Sequence, residues 1–229
     1  MKQWIERSLW DVVPRDHRQS AQELRRRQLV TVVFVVLGAA VLGILLRLDQ
    51  GSTQFVVFSL VLAAVWTIGA FASGPIYLGR MVRRDLHVRP IVQPFLMGAG
   101  LALVFVVGAL VVREIPPLAE QVRGVLGFAT EGYLPVLVLI TAVNGIAEEL
   151  FFRGAAYAAI TSRPVLWTTF AYTVATLATG NVMLAFAAIL LGVLVGLQRR
   201  ASGGILAPII THCTWSLSML FALPVIFGV

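Results

Sequence analysis

Long apolar runs, repeated along most of the chain, limit the fold more than any other feature of this sequence. We place seven such runs, at about residues 29–46, 55–78, 91–112, 133–159, 165–178, 182–197 and 205–229. Hydrophobic residues make up 59% of the 229 residues and charged residues only 13%, which excludes a soluble domain of ordinary composition. Within lipid, only helices and closed barrels satisfy every backbone polar group, and no run here alternates with a period of two. The sequence therefore predicts an all-α, polytopic transmembrane bundle of about seven helices.

The basic residues indicate how this bundle is oriented. They are concentrated before the first run and in every second loop after it, and only Arg47, Arg113 and Arg123 lie in the alternate loops. By the positive-inside rule, we expect a cytoplasmic N-terminus and an external C-terminus. The formal net charge of +7 then reflects topology and attraction to membrane lipids, so we expect no nucleic-acid partner. Short loops and a single lysine favour a multi-pass protein of a bacterial plasma membrane.

Residues 1–28 differ in composition from the rest of the chain and form a polar lead. Ile5, Leu9 and Val12 recur at helical spacing, and Trp4 and Trp10 flank them. This pattern is typical of a short amphipathic helix on the cytoplasmic membrane surface, although a partly disordered tail fits the same residues. We interpret residues 29–229 as one transmembrane helical domain, in which residues 113–132 form an outer loop with a short interfacial helix.

Two adjacent acids and an arginine interrupt the fourth apolar run. An acid at the centre of a membrane helix costs at least about 2.5 kcal/mol, so Glu148 and Glu149 indicate a functional site. On an α-helix, Glu149 and Arg153 are one turn apart and form a favourable ion pair. Glu148 points about 100° away and is left as the free carboxylate, which suits a general base. The alternative is that both acids reach toward the cytoplasmic surface, which Arg163 marks.

His212 is the only histidine inside a predicted span. At about 1.5 Å per residue, His212 and Glu148 both lie on the order of 10 to 17 Å from the cytoplasmic surface, so their side chains can meet. Ser216 follows one helical turn later and shares the face of the imidazole. A histidine on an apolar helix is otherwise a packed, hydrogen-bonded core residue, and the sequence leaves both interpretations open.

The residues around these side chains resemble a known family. Residues 148–153 (EELFFR) are similar to the EExxxR motif of the CPBP family of intramembrane proteases, which includes the type II CAAX prenyl endopeptidases. The resemblance continues in residues 189–215 (ILLGVLVGLQRRASGGILAPIITHCTW) and covers about residues 133–220. It implies an intramembrane cavity, open to the cytosol, in which a glutamate activates water to cleave a peptide bond. By this resemblance Glu148 is the base, Glu149 and Arg153 are its structural companions, and His212 is the histidine of the last motif.

Two positions depart from the family pattern. The second motif usually ends in a histidine, for which we align Thr176, and the last motif usually ends in asparagine or aspartate, where Ser216 stands. Both hydroxyls can orient water or donate a hydrogen bond to an oxyanion, but they are poor ligands for zinc. The resemblance allows zinc, with Glu148 and His212 as ligands. We nevertheless expect no metal and no other cofactor, because a catalytic zinc site typically needs three protein ligands.

Together these features predict an intramembrane endopeptidase that cleaves membrane-associated or prenylated peptides with glutamate-activated water. The alternative is a catalytically weak or inactive family member that acts as a membrane-peptide-binding scaffold or an immunity-type protein. A small transporter or channel subunit is a third interpretation, but the sequence has no inverted repeat. Ala188, Gly192 and Gly196 form a smooth helix face that can pack within the bundle or between chains, so the oligomeric state stays open.

Overall fold

The fold is a bundle of helices with one small hairpin. A computed structural model describes residues 6, 9–10, 12–13, 19–45, 47–49, 51–83, 86–131 and 133–229. The helices before the acid pair are α1 (Ala21–Leu45), α2 (Thr53–Ser73), α3 (Val92–Val112), α4 (Pro116–Glu131) and α5 (Leu134–Glu148). A π-helix (Glu149–Ala156) follows, and then α6 (Tyr157–Ala159), α7 (Pro164–Leu177), α8 (Val182–Ser202) and α9 (Leu206–Phe227). The hairpin pairs β1 (Met81–Arg83) with β2 (Leu86–Val88) in antiparallel register, Met81 opposite Val88.

Within the described residues, six helical segments are long and apolar enough to cross a membrane. They are α1, α2, α3, the continuous segment Leu134–Ala159, α8 and α9. Large apolar side chains on these segments face outward, where lipid would cover them, as Leu29 and Val225 do. The predicted fold class, a polytopic all-α bundle, is confirmed. The fifth predicted run forms α7, which has 14 residues and spans only about 21 Å, less than the hydrocarbon thickness of about 30 Å.

The first helix begins inside the predicted polar lead rather than at residue 29. The Ser20 hydroxyl accepts a hydrogen bond from the Glu23 amide at 3.2 Å, and the Glu23 carboxylate accepts one from the Ser20 amide at 2.7 Å. This reciprocal capping box starts α1 at Ala21, two turns before the chain becomes apolar. The surface helix predicted for residues 1–28 falls mainly outside the described residues.

The loop between α2 and α3 contains the hairpin, which the sequence pattern did not predict. Its strands have three residues each, too few to show a period of two. Just before the hairpin, the extended segment at Tyr77 and Leu78 accepts hydrogen bonds from the amides of Ile205 and Leu206, at 2.9 and 3.0 Å. These bonds fix the loop against the start of α9, so two distant parts of the chain meet at one end of the bundle.

The π-helix lies at the centre of the bundle, where it packs against α1, α2, α7, α8 and α9. Beside it, the Trp66 ring stacks near Phe151 and Phe152, with ring centroids 4.6 and 5.5 Å apart. The small face of α8 is covered from within the bundle, because Gly192 and Gly196 lie against Thr169 and Val165 of α7. This contact shows how that face packs inside one chain.

The crossing of α1 and α2 depends on a glycine. A Cβ added at Gly38 would overlap the Trp66 ring, whereas one added at Gly43, on the same helix, would meet nothing within 4 Å. We therefore expect Gly38→Ala to lower the free energy of unfolding by about 1–3 kcal/mol, the usual effect of overpacking. Thermal unfolding in detergent, with Gly43→Ala as the matched control, measures this difference. Equal stability of the two variants would contradict the packing described here.

Candidate active site

The segment that carries the acid pair is not an α-helix. Residues Glu149–Ala156 form a π-helix, and the Tyr157 amide bonds to the Phe152 carbonyl five residues back. The predicted continuous α-helix over residues 133–159 is thus corrected to α5, the π-helix and α6. π-helices are rare and occur frequently at functional sites. Most of this segment is buried, namely Glu149, Phe151, Phe152, Arg153, Gly154 and Ala155.

One oxygen of Glu149 joins two basic side chains. Oε1 accepts a hydrogen bond from Nη1 of Arg153 at 2.9 Å and contacts Nδ1 of His212 at 2.8 Å. Glu149 and Arg153 have no exposed surface, and His212 is 5% exposed. The ion pair expected from the spacing is therefore present, and His212 reaches Glu149 rather than Glu148. Because Glu149 is fully enclosed, it does not reach toward the membrane surface.

Glu148 has a different environment. It is only half-buried, and its Oε2 accepts a hydrogen bond from the Tyr172 hydroxyl of α7 at 2.8 Å. The Tyr172 ring also lies beneath the Arg153 guanidinium, with Cζ 5.0 Å from the ring centroid, and packs edge-on against Phe152. The two neighbouring acids are thus separated: Glu149 is enclosed between Arg153 and His212, and Glu148 is partly exposed beside a phenol.

Tyr172 was not predicted as a site residue, although it lies one helical turn before Thr176 in the second motif. A signal was available: a buried tyrosine hydroxyl usually needs a hydrogen-bond partner, and the run around residue 172 is apolar. The partner comes from another helix, since Glu148 lies 24 positions earlier in the chain. Spacing along one helix could not have predicted this contact.

Arg199 is a second missed residue. The sequence suggested only a topological charge at the end of the sixth run, but Arg199 is buried, and its Nε donates to the Arg153 carbonyl at 2.6 Å. Its guanidinium also lies over the Tyr157 ring, 4.8 Å from the centroid. This side chain fastens the second half of the π-helix to α8.

Several buried polar atoms in the network lack hydrogen-bond partners within the described residues. They are Oε2 of Glu149 and both Nε and Nη2 of Arg153. Each such group costs about 1–3 kcal/mol, and in a native protein it points to a functional role or an ordered solvent partner. The site therefore has more hydrogen-bonding capacity than its own side chains use.

The structure does not bring the other two predicted residues to this network. Thr176 donates to the Tyr172 carbonyl at 2.8 Å, and Ser216 donates to the Cys213 carbonyl at 3.4 Å, so each hydroxyl bonds to its own helix. Ser216 also lines an apolar cavity of about 430 Å³ between α3, α4, α8 and α9. Across the described part of the chain, neither hydroxyl bonds to Glu148 or His212.

The donor set does not fit a zinc ion. In the described ranges no group of three or more histidine, cysteine, aspartate or glutamate side chains is placed to hold a metal. In addition, Nδ1 of His212 and the Arg153 guanidinium share the same oxygen of Glu149, so a divalent cation there would face a fixed positive charge. The arrangement is instead suited to proton transfer between carboxylates, a phenol and an imidazole.

Comparison with known protein families finds a match in the second half of the chain. Residues 130–218 match the family model described as Type II CAAX prenyl endopeptidase Rce1-like. Over this segment the chain is similar to the Rce1-like family. The family prediction from the EExxxR motif is thereby confirmed, and the Rce1-like segment contains the whole network from Glu148 to His212 together with Thr176 and Ser216. With six apolar helices in its described part, the chain is a multi-pass membrane protein. No curated protein and no solved structure matches it.

The contact between Tyr172 and Glu148 can be tested directly. We expect Tyr172→Phe and Glu148→Gln to be non-additive in the free energy of unfolding, with a coupling of about 1 kcal/mol. Tyr172→Phe removes the hydrogen bond, whereas Glu148→Gln replaces its carboxylate acceptor by a weaker amide oxygen. A double-mutant cycle in detergent measures the coupling. Tyr133→Phe, at a tyrosine that is 75% exposed, serves as the matched control and should be additive with Glu148→Gln. Additivity for both pairs would show that the hydrogen bond does not form.

Proposed function

We propose that this chain is an intramembrane endopeptidase that cleaves membrane-associated or prenylated peptides, with Glu148 as the base that activates water. The observation that carries the proposal is the division of the acid pair, in which Glu149 is enclosed and Glu148 is partly exposed and bonded to Tyr172. The Rce1-like family match supports a CAAX-type intramembrane endopeptidase at the family level. A peptide or lipidated peptide and the membrane lipids are then the partners.

In the proposed reaction, Glu148 removes a proton from water, and the resulting hydroxide attacks the scissile carbonyl carbon. The tetrahedral intermediate collapses, the C–N bond breaks, and Glu148 returns the proton to the leaving amine. The Tyr172 hydroxyl bonds to Oε2 of Glu148 and so orients the carboxylate. Oε1 is then the atom that binds water.

His212 has an orienting part in this scheme. An ionised Glu149 can only accept, so its contact with Nδ1 fixes the tautomer in which that nitrogen carries a proton. Nε2 then binds the attacking water or the substrate carbonyl. Glu149 and Arg153 hold the imidazole, as a second acid commonly does for a catalytic histidine. Because Thr176 and Ser216 bond to their own helices, we assign the orienting role to Tyr172 and His212 instead.

A non-catalytic scaffold or immunity-type protein is the second candidate. It is favoured by Thr176 and Ser216, which stand where the family pattern has other residues and whose hydroxyls do not bond to the acids in the described part of the chain. Such a protein would bind membrane peptides in the same fold without cutting them. The two candidates differ in what happens to the peptide, so a cleavage experiment separates them.

For location, we infer a bacterial plasma membrane with the N-terminus in the cytoplasm. The concentration of arginines before the first span and in the alternate loops supports this orientation. The end of the bundle where α1 begins then faces the cytosol. A peptide that is made or lipidated in the cytosol could approach the site from that side.

The main test replaces the proposed base. We expect Glu148→Gln to reduce cleavage by about 100-fold or more, since loss of a general base typically costs that much in rate. Membrane peptides and prenylated peptides of the producing cell, compared by mass spectrometry, should show uncleaved substrate in the variant. Glu114→Gln, at an exposed acid, is the matched control and should cleave normally. An unchanged peptide set and an unchanged phenotype in Glu148→Gln would reject the protease and favour the scaffold.

A second test concerns the metal. Because the donor set does not fit zinc, we expect 1,10-phenanthroline to leave cleavage within about twofold of that with the non-chelating 1,7-isomer. Elemental analysis of the purified protein should give zinc well below one ion per chain. Stoichiometric zinc that disappears in His212→Ala would overturn this expectation while leaving the role of Glu148 in place.

A further inference from the structure

A small polar cavity lies at the end of the bundle where α1 begins and where α2 and α8 end. It has a volume of about 150 Å³ and is lined by Arg26, Arg27 and Arg199, with Glu23 as its only acid among the described residues. The side chains therefore bring more positive than negative charge to this point. None of the three arginines takes part in the proposed cleavage, although Arg199 bonds to the π-helix.

Arg27 is the best-defined part of this cavity. Only 4% of the residue is exposed, Nη2 donates to the Pro75 carbonyl at 3.2 Å, and Nη1 has no hydrogen-bond partner in the described ranges. Gly74 makes the space for it: its φ is +140°, and a Cβ there would lie 2.7 Å from Nη2. The end of α2 is thus shaped around a guanidinium that keeps an unused donor.

An anion is the ligand that such a group would take. The carboxylate of Glu23 bonds to the Ser20 amide and serves the helix cap. Glu23 attracts Arg27 electrostatically, but none of the described acids has an oxygen within 4.0 Å of its guanidinium. A buried guanidinium with a free donor is costly, and a phosphate group, with several acceptor oxygens, is the partner that arginine matches best.

The surroundings favour a phospholipid over a soluble anion. The cavity opens at the level where the membrane-spanning helices end, which is the level of lipid head groups. Arg26 shares one exposed face of α1 with Leu29, Val33 and Val36, at helical spacing. Acyl chains can lie along this apolar face while the phosphate stays at the arginines. The volume equals roughly five waters at about 30 Å³ each, enough for a head-group phosphate but not for a folded peptide.

We propose that this cavity binds the phosphate of an anionic phospholipid through Arg26, Arg27 and Arg199, with the acyl chains along Leu29, Val33 and Val36. The same Arg199 donates to the Arg153 carbonyl, and Gly154 lines the cavity. The bound lipid therefore contacts the back of the π-helix and stabilises the segment that carries the acid pair.

The experiment compares two adjacent exposed arginines in the full-length protein. Arg26 lines the cavity and Arg25 does not, although both are exposed on the first turns of α1. The protein is placed in nanodiscs of phosphatidylcholine with added phosphatidylglycerol. Native mass spectrometry, after the protein is released from the nanodisc, measures the lipid that it retains. We expect retention of phosphatidylglycerol over phosphatidylcholine, a loss of about fivefold in Arg26→Gln, and no loss in Arg25→Gln. Arg27→Gln should lose more, but its folding must be checked first.

Four outcomes would overturn the proposal. Equal losses in Arg25→Gln and Arg26→Gln would indicate diffuse surface attraction, and equal retention of the two lipids would exclude selection of an anionic head group. Competition by sn-glycerol 3-phosphate as strong as that by the lipid would indicate a site for soluble phosphate. Displacement of the lipid by a peptide with a free carboxylate would assign the cavity to substrate. Glu148→Gln should retain lipid normally, so loss of the proposed protease activity leaves this inference untouched.

Discussion

The shared oxygen of Glu149 is the contact on which the rest of the site depends. Oε1 holds Arg153 of the π-helix and His212 of α9 at once, with no solvent contact for the acid or the arginine. Removing one partner from a buried charged group typically costs about 3–5 kcal/mol, because the remaining charge stays buried. The position of His212 relative to Glu148 is thus fixed by an acid that we do not expect to react.

The π-helix explains how two adjacent acids reach such different surroundings. It widens the backbone turn at the centre of the bundle, where five helices besides the two flanking ones contact this eight-residue segment. Glu148, at the end of α5, meets α7 through Tyr172, whereas Glu149 meets α9 through His212. Arg199 bonds to the Arg153 carbonyl and ties the same segment to α8. A regular α-helix would present these groups with a different rotation.

The sequence predicted what depends on local pattern. Apolar runs located the spanning helices, and spacing gave the Glu149–Arg153 pair, which the structure contains. Contacts between distant segments, such as that of Tyr172 with Glu148, cannot be predicted from local pattern. The π-helix was not predicted because its residues also fit an α-helix. The start of α1 was placed too late because hydropathy does not register a capping box formed by Ser20 and Glu23. Thr176 and Ser216 illustrate the same limit: alignment gives a position, but not the partner of a hydroxyl.

Stability alone does not explain the charges at the centre of this bundle. Replacing a buried ion pair by apolar residues of similar volume is often neutral or stabilising, and here three polar atoms of Glu149 and Arg153 have no partner within the described residues. The unpartnered polar atoms therefore lower the free energy of unfolding, and packing around them does not offset this loss. What it provides is a fixed imidazole, an oriented carboxylate on Glu148 and spare donors beside them, in a largely buried part of the bundle. In such a region electrostatic interactions are stronger than in water, which supports the proposed part of these groups in peptide cleavage.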